Sequence, residues 1–153
     1  MFRPSEEALA WVASVVDAPR ATIEPIAPGG TETILLAEDA APLRALVSST
    51  LSGLGYRVIA TADGEQAVRE YAQHKDEIGL VVMDVVMPRL GAIEAYERMR
   101  AIDPAVKVLF TTGYAPEATQ LARLIEEGGL HLLEKPFSSR ALGLSVRRAI
   151  DRR

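Results

Sequence analysis

Along the chain, apolar and polar positions follow two different rhythms, and the change comes at about residue 31. Ahead of it, Leu9, Val12 and Val16 recur at i, i+3, i+7 spacing. Ser5 precedes them as a candidate N-cap, and Glu6 and Glu7 lie where a helix dipole favours acids. Pro19, Pro25, Pro28, Gly29 and Gly30 then interrupt any regular element, a composition that reads as a linker. From Thr31 onward, short unbroken apolar runs alternate with helical patterns. Thr33 to Ala37 lacks the polar alternation of a strand with one wet face, so it reads as a strand covered on both sides. A helix pattern from Pro42 to Ser52 puts Leu43, Leu46, Val47 and Leu51 on one face, and Gly53 and Gly55 close it. Tyr56 to Ala60 reads as a second strand. Asp63-Gly64 opens a helix carrying Ala67, Val68 and Tyr71. Leu80 to Met83 is the most apolar run and reads as the central strand. Ile93, Tyr96, Glu97 and Arg100 continue into a third helix closed at Asp103-Pro104. Val106 to Phe110, Leu121 to Glu127, Leu130 to Leu133 and Leu142 to Ile150 complete the series. The alternation predicts an α/β class with a parallel sheet and helices on both faces. It divides the chain into an N-terminal helix and Pro/Gly linker over residues 1–30 and one domain over residues 31–153.

Composition narrows this little but excludes much. Hydrophobic residues make up 48% and charged residues 25% of the 153, which rules out wholesale disorder and collagen-like chains. The net charge of −4 gives no general attraction to nucleic acid. The cations from Arg147 to Arg153 read as complements to a helix C-terminus. With no cysteine, a disulfide scaffold, a thiolate zinc site and a cysteine nucleophile are all excluded. The acidic N-terminus is no secretory signal, and no apolar run approaches the ~20 residues of a membrane helix, so a cytoplasmic location is expected.

In such a sheet the functional crevice lies outside the carboxyl ends of the strands. There the sequence supplies Glu38 and Asp39 after the first strand, Asp84 after the third, Thr111-Thr112 after the fourth and Lys135-Pro136 after the fifth. Clustered carboxylates repel one another, and a hard divalent cation resolves the conflict. An acidic set without histidine or cysteine suits Mg²⁺ better than zinc. Asp84 can then act as a nucleophile toward a phosphoryl group. Lys135 would supply a point charge for one phosphoryl oxygen and the Thr112 hydroxyl a donor for another. Taken singly, each residue has a duller reading: a turn-starting Asp, a solvated Glu38, a capping Thr112, an ordinary strand exit at Lys135. The inference rests on their joint occurrence, in order, at the right strand ends.

Leu35-Leu36-Ala37-Glu38-Asp39, Met83-Asp84-Val85-Val86-Met87-Pro88, Phe110-Thr111-Thr112-Gly113-Tyr114 and Leu133-Glu134-Lys135-Pro136-Phe137 resemble the signatures of a response-regulator receiver domain. The resemblance covers about Glu32 to Arg152. It implies a flavodoxin-like sheet of five parallel strands in the order 2-1-3-4-5. It also implies Asp84 as phosphoacceptor, and Mg²⁺ held by Asp39, Asp84 and the Val86 carbonyl with Glu38 assisting through water. Thr112 and Lys135 would contact the phosphoryl group, and the Lys135-Pro136 bond would be cis. The implied partners are a histidine kinase or histidine phosphotransferase as donor and a downstream protein, with room for a homodimer. The role is that of a switch, not an enzyme. Pro28 to Thr33 further resembles the linker joining a sensor-kinase ATP-binding domain to a C-terminal receiver.

This chain departs from the family pattern at several positions. Leu132 stands where an aromatic residue usually changes rotamer, so output is expected to run through Thr112 and the loop after it. Ala92, beside Gly91, replaces a usual glycine, and Ala40 replaces a usual polar residue. Val86 and Tyr114 lack a group to orient an attacking water, which predicts slow loss of the phosphoryl group. Three other classes remain. A phosphorylation-independent docking or dimerisation receiver would need Asp84 to be inert. A flavodoxin-like FMN carrier would need Ser, Thr and Gly donors where Glu38 to Pro42 stand. An aspartyl phosphatase would need a general acid at Val86. His74 is read as a solvated histidine and His131 as one packed at the start of the fifth strand.

Overall fold

The computed structural model describes residues 28–113 and 130–152. The helices read at Ser5 to Asp17 and Leu121 to Glu127, and Tyr114, lie outside the described residues. In order, the elements are β1 (Thr33–Ala37), α1 (Ala41–Gly53), β2 (Arg57–Thr61), α2 (Gly64–His74), β3 (Ile78–Asp84), α3 (Ala92–Ile102), β4 (Val108–Thr112), β5 (His131–Glu134) and α4 (Ser139–Asp151). All strand pairings are parallel, in the order β2-β1-β3-β4-β5, with β3 central as expected. The flavodoxin-like arrangement is therefore present.

The unbroken apolar runs are explained by what lies on each side of the sheet. Successive strand side chains point to opposite faces. On one face Leu35, Val81, Met83 and Phe110 pack with Ala67 and Tyr71 of α2 and with Ala95, Tyr96 and Met99 of α3. On the other face Ile34, Leu36, Leu80, Val82 and Leu109 meet Val47 and Leu51 of α1 and Leu142, Val146 and Ala149 of α4. Tyr96 and Phe110 meet edge to face, with centroids 6.1 Å apart. Each fully buried aliphatic side chain contributes roughly 1.5–3 kcal/mol, more than an exposed ion pair, so these layers set the sheet on which the polar edge is built.

Several boundaries move, each for a physical reason. Tyr56 precedes β2 as a buried loop residue, its N–H donating to the Leu51 carbonyl in the last turn of α1. The fourth strand begins at Val108 and runs on to Thr112, and the fifth runs from His131 to Glu134. Leu46 is half exposed, not on the buried face of α1, because Val47 and Leu51, with Leu43 beside them, make that face. Gly53 is still helical, Leu54 is the C-cap, and Gly55 takes the turn with φ +103°, a conformation only glycine adopts without strain. Asp63 caps α2 as read, its carboxylate accepting the Gln66 N–H. Among the described residues no helix is long and apolar enough to cross a membrane.

Candidate functional site

Parallel register brings the ends of the strands to one edge. Ala37 pairs with Met83, Asp84 with Thr111, and Thr112 with Glu134. The residues that follow are tied down by backbone bonds: Glu38 N to Thr61 O at 3.0 Å, Val85 N to Thr111 O at 2.9 Å, and Lys135 N to Thr112 O at 2.7 Å. Thr61 turns its hydroxyl to the Leu36 carbonyl at 2.8 Å, so the hydroxyl braces β1 while the carbonyl holds the Glu38 N–H.

Glu38, Asp39 and Asp84 converge, one carboxylate oxygen from each lying within 4.8 Å of the others. Glu38 and Asp84 are buried, at 3% and 7% exposure, while Asp39 faces solvent. The Lys135 ammonium lies between the two buried acids, donating to Glu38 Oε1 at 2.8 Å and Asp84 Oδ2 at 2.9 Å. Their other oxygens accept backbone donors, Ala40 N–H for Glu38 Oε2 and Val86 N–H for Asp84 Oδ1. Burial pushes the Glu38 carboxyl above the usual glutamate range, and the neighbouring Asp84 adds to this, while Lys135 opposes it in part. Burial alone would pull the Lys135 ammonium down, but the two carboxylates outweigh it and hold it above the ordinary lysine range. Thr112 is buried at the end of β4, and the Lys135-Pro136 bond is cis.

One ammonium among three carboxylates leaves the acids in excess, as a site for a divalent cation would. The donors are oxygens throughout, and Mg²⁺ is held by one or two carboxylates with waters and phosphate oxygens completing its shell. The residues therefore fit Mg²⁺. They do not fit a bound flavin phosphate: the loop after β1 opens with the buried carboxylate of Glu38 and the exposed one of Asp39. Val86, the residue two past Asp84, is 56% exposed.

The strand-end residues singled out in the sequence thus stand together. Leu132 packs partly buried against the α2 and α3 side of the core. His74 is partly exposed at the end of α2 with Glu70 and Glu77 each 3.5 Å away, as a solvated histidine would be. His131 is partly buried; its Nε2 is buried with no hydrogen-bond partner, and burial, then Arg152 and Arg148, lower its pKa. Two residues make contacts that the sequence pattern does not signal. Arg44 of α1 reaches back to the Glu38 and Asp39 carbonyls; only its place one helical turn after Ala40 could have signalled this. Arg147 does not merely complement the end of α4: its guanidinium holds Glu32 at 2.7 Å and Asp151 at 2.7 Å.

The sequence profile of the response regulator receiver domain family matches residues 34–147. The sensor kinase CckA of Brucella abortus is 32% identical over 124 residues, which is 80% of this chain but 13% of that protein. The chemotaxis protein CheY of Bacillus subtilis is 30% identical over 107 residues, 69% of this chain and 87% of CheY. Among solved structures, the receiver domain of the hybrid histidine kinase CckA superposes with a TM-score of 0.65 at 25% identity, covering 78% of this chain and 99% of that one. The chain belongs to the response regulator receiver domain family, the receivers of two-component signalling. Members of this family act as phosphoacceptors and work with histidine kinases or phosphotransferases.

Proposed function

We propose that Asp84 accepts a phosphoryl group from a histidine kinase or histidine phosphotransferase, and that the resulting aspartyl phosphate switches the binding of a downstream protein. In the transfer the donor's P–N bond breaks as a P–O bond forms to the Asp84 carboxylate. The leaving imidazole keeps the electron pair and takes up a proton. The observation that carries this reading is the pairing of Lys135 with both Glu38 and Asp84, within a carboxylate cluster it cannot neutralise alone. Asp39, Asp84 and the Val86 carbonyl, with Glu38 assisting through water, are the groups that would hold Mg²⁺. When bound, the ion neutralises charge on the phosphoryl oxygens, most of what phosphoryl transfer requires. Lys135 exchanges its bond to Asp84 for one to a phosphoryl oxygen, and the Thr112 hydroxyl donates to another.

The domain assists its own phosphorylation but turns over no substrate, and residues 31–153 form the receiver unit behind the segment 1–30. A cytoplasmic location, and a place behind the ATP-binding domain of a hybrid sensor kinase, belong to the same proposal; the likeness to CckA supports the latter. Exposed, apolar Val86 beside Asp84 offers no group to activate water, so the aspartyl phosphate should persist well beyond seconds at neutral pH.

The test is intact mass after incubation with acetyl phosphate and Mg²⁺, with Asp84→Asn alongside. One phosphoryl group on the parent alone, removed by hydroxylamine, is the expected result. No gain, together with no Mg²⁺ binding, would leave a receiver fold used for docking without phosphorylation.

A further inference from the structure

We propose that Arg44 is a positioning residue that aims the acidic pair, and Asp39 above all, into the cation site; the proposal rests on the site reading given above. α1 starts without a side-chain cap, because its N-cap is Ala40. The turn before it is stapled from two other directions. From inside, Glu38 Oε2 accepts the Ala40 N–H at 3.2 Å. From outside, Arg44 Nη1 donates to the Glu38 carbonyl at 2.8 Å and the Asp39 carbonyl at 3.3 Å. A helical side chain covers the turn N-terminal to its own Cα, which is where these carbonyls lie.

What Arg44 avoids is as informative as what it binds. Three carboxylates lie close by, yet among the described residues Arg44 forms no ion pair with any of them. Its bonds go to neutral carbonyl oxygens, so its work is to hold backbone, not to cancel charge. Asp39 depends on that work most. Glu38 and Asp84 are each fixed by Lys135 and a backbone N–H, whereas no described residue donates to the Asp39 carboxylate. What places it is the position of its backbone, and Arg44 grips that backbone.

The two roles an arginine could play here move Mg²⁺ affinity in opposite directions. A cation beside a cation site repels the ion, so if charge were what mattered, Arg44→Met would tighten Mg²⁺ binding. If position matters, the same change weakens it, by about tenfold on the scale of other groups that orient metal ligands. The experiment is calorimetric titration of Mg²⁺ into the wild type, Arg44→Met and Arg44→Lys, with thermal unfolding in EDTA recorded for each. The expected order of affinity is wild type, then Lys, then Met. Lysine keeps the charge but loses the planar fork. Phosphorylation by acetyl phosphate should fall with affinity at limiting Mg²⁺ and recover at saturating Mg²⁺. Tighter or unchanged binding in Arg44→Met overturns the proposal, as does an Arg44→Lys variant equal to wild type. If Arg44→Met fails to fold, the comparison of Arg44→Lys with wild type decides alone. A wild type that takes up no Mg²⁺ overturns the site reading itself.

Discussion

Two ionic clusters mark opposite edges of the same sheet, and they are built on opposite principles. At the amino-terminal edge, Glu32 precedes β1 and meets Arg147 from α4, which also binds Asp151 and lies near the Tyr56 hydroxyl and the Gly29 carbonyl. Both acids there sit below their ordinary range, and the Arg147 hydrogen bond is the main cause. At the carboxyl-terminal edge Glu38 sits above its range, and burial is the main cause. Partnership sets the acids of the first cluster, whereas desolvation sets Glu38 of the second. The first is content as it stands and ties elements together. The second holds three carboxylates against one lysine, an arrangement that suits a site awaiting a cation, as proposed above.

The comparison breaks most visibly if Lys135 is removed. In metal-free buffer Lys135→Met should lose roughly 2 kcal/mol, below the 3–5 kcal/mol of a fully enclosed pair because the Lys135 side chain keeps 22% exposure. Adding Asp84→Asn should return part of the loss in chemical denaturation. Conversely, Asp39→Asn should stabilise the metal-free protein by about 1 kcal/mol by removing one of three close carboxylates. It should also abolish the rise in Tm that Mg²⁺ gives the wild type. An unchanged Mg²⁺ response would show that Asp39 is not a ligand.

The smallest effects carry the sharpest contrast, because they differ in sign. Glu32 has a lowered folded-state pKa, so its contribution is complete above the ordinary glutamate range and is lost as pH falls through the lowered value. Glu38 has a raised one, so in metal-free buffer its contribution is complete below the ordinary range and is lost as pH rises through the raised value. Glu32→Gln should therefore flatten the acid side of the stability profile, by about 0.5 kcal/mol for this partly exposed pair. Glu38→Gln should remove the decline above the ordinary glutamate range. Denaturation midpoints from pH 3 to 8 in EDTA would check both.

Much of this was legible in the residues. Thr33–Ala37 and Leu80 to Met83 showed themselves as strands because both faces are covered, and runs this short alternating with helical patterns are too brief for buried helices. The candidate site was legible because in a parallel sheet all strands end at one edge, so order along the chain becomes proximity in space. The other edge was not. Glu32 and Arg147 lie 115 residues apart and carry no motif. Leu46 fits the apolar period of α1, yet periodicity fixes a face only to within a residue or so, and Leu46 falls just past it. Arg44 escaped notice because it binds backbone carbonyls, and a contact that reads no side chain leaves no trace in the pattern of side chains.

The paired glycines before β1 look, by composition, like a swivel. In the fold they are a weld. Gly30 donates to the Leu54 carbonyl at 3.1 Å, and a Cβ on Gly29 would stand 1.9 Å from that same oxygen. A Cβ on Gly30 would fall within 2.5 Å of the Arg147 guanidinium. At Gly29, where the neighbour is backbone, glycine is required for closeness, not for freedom; at Gly30 the neighbours are side-chain ends that can shift. The chain entering β1 is thus held against the corner between α1 and β2 through the Leu54 carbonyl, and against α4 through Arg147.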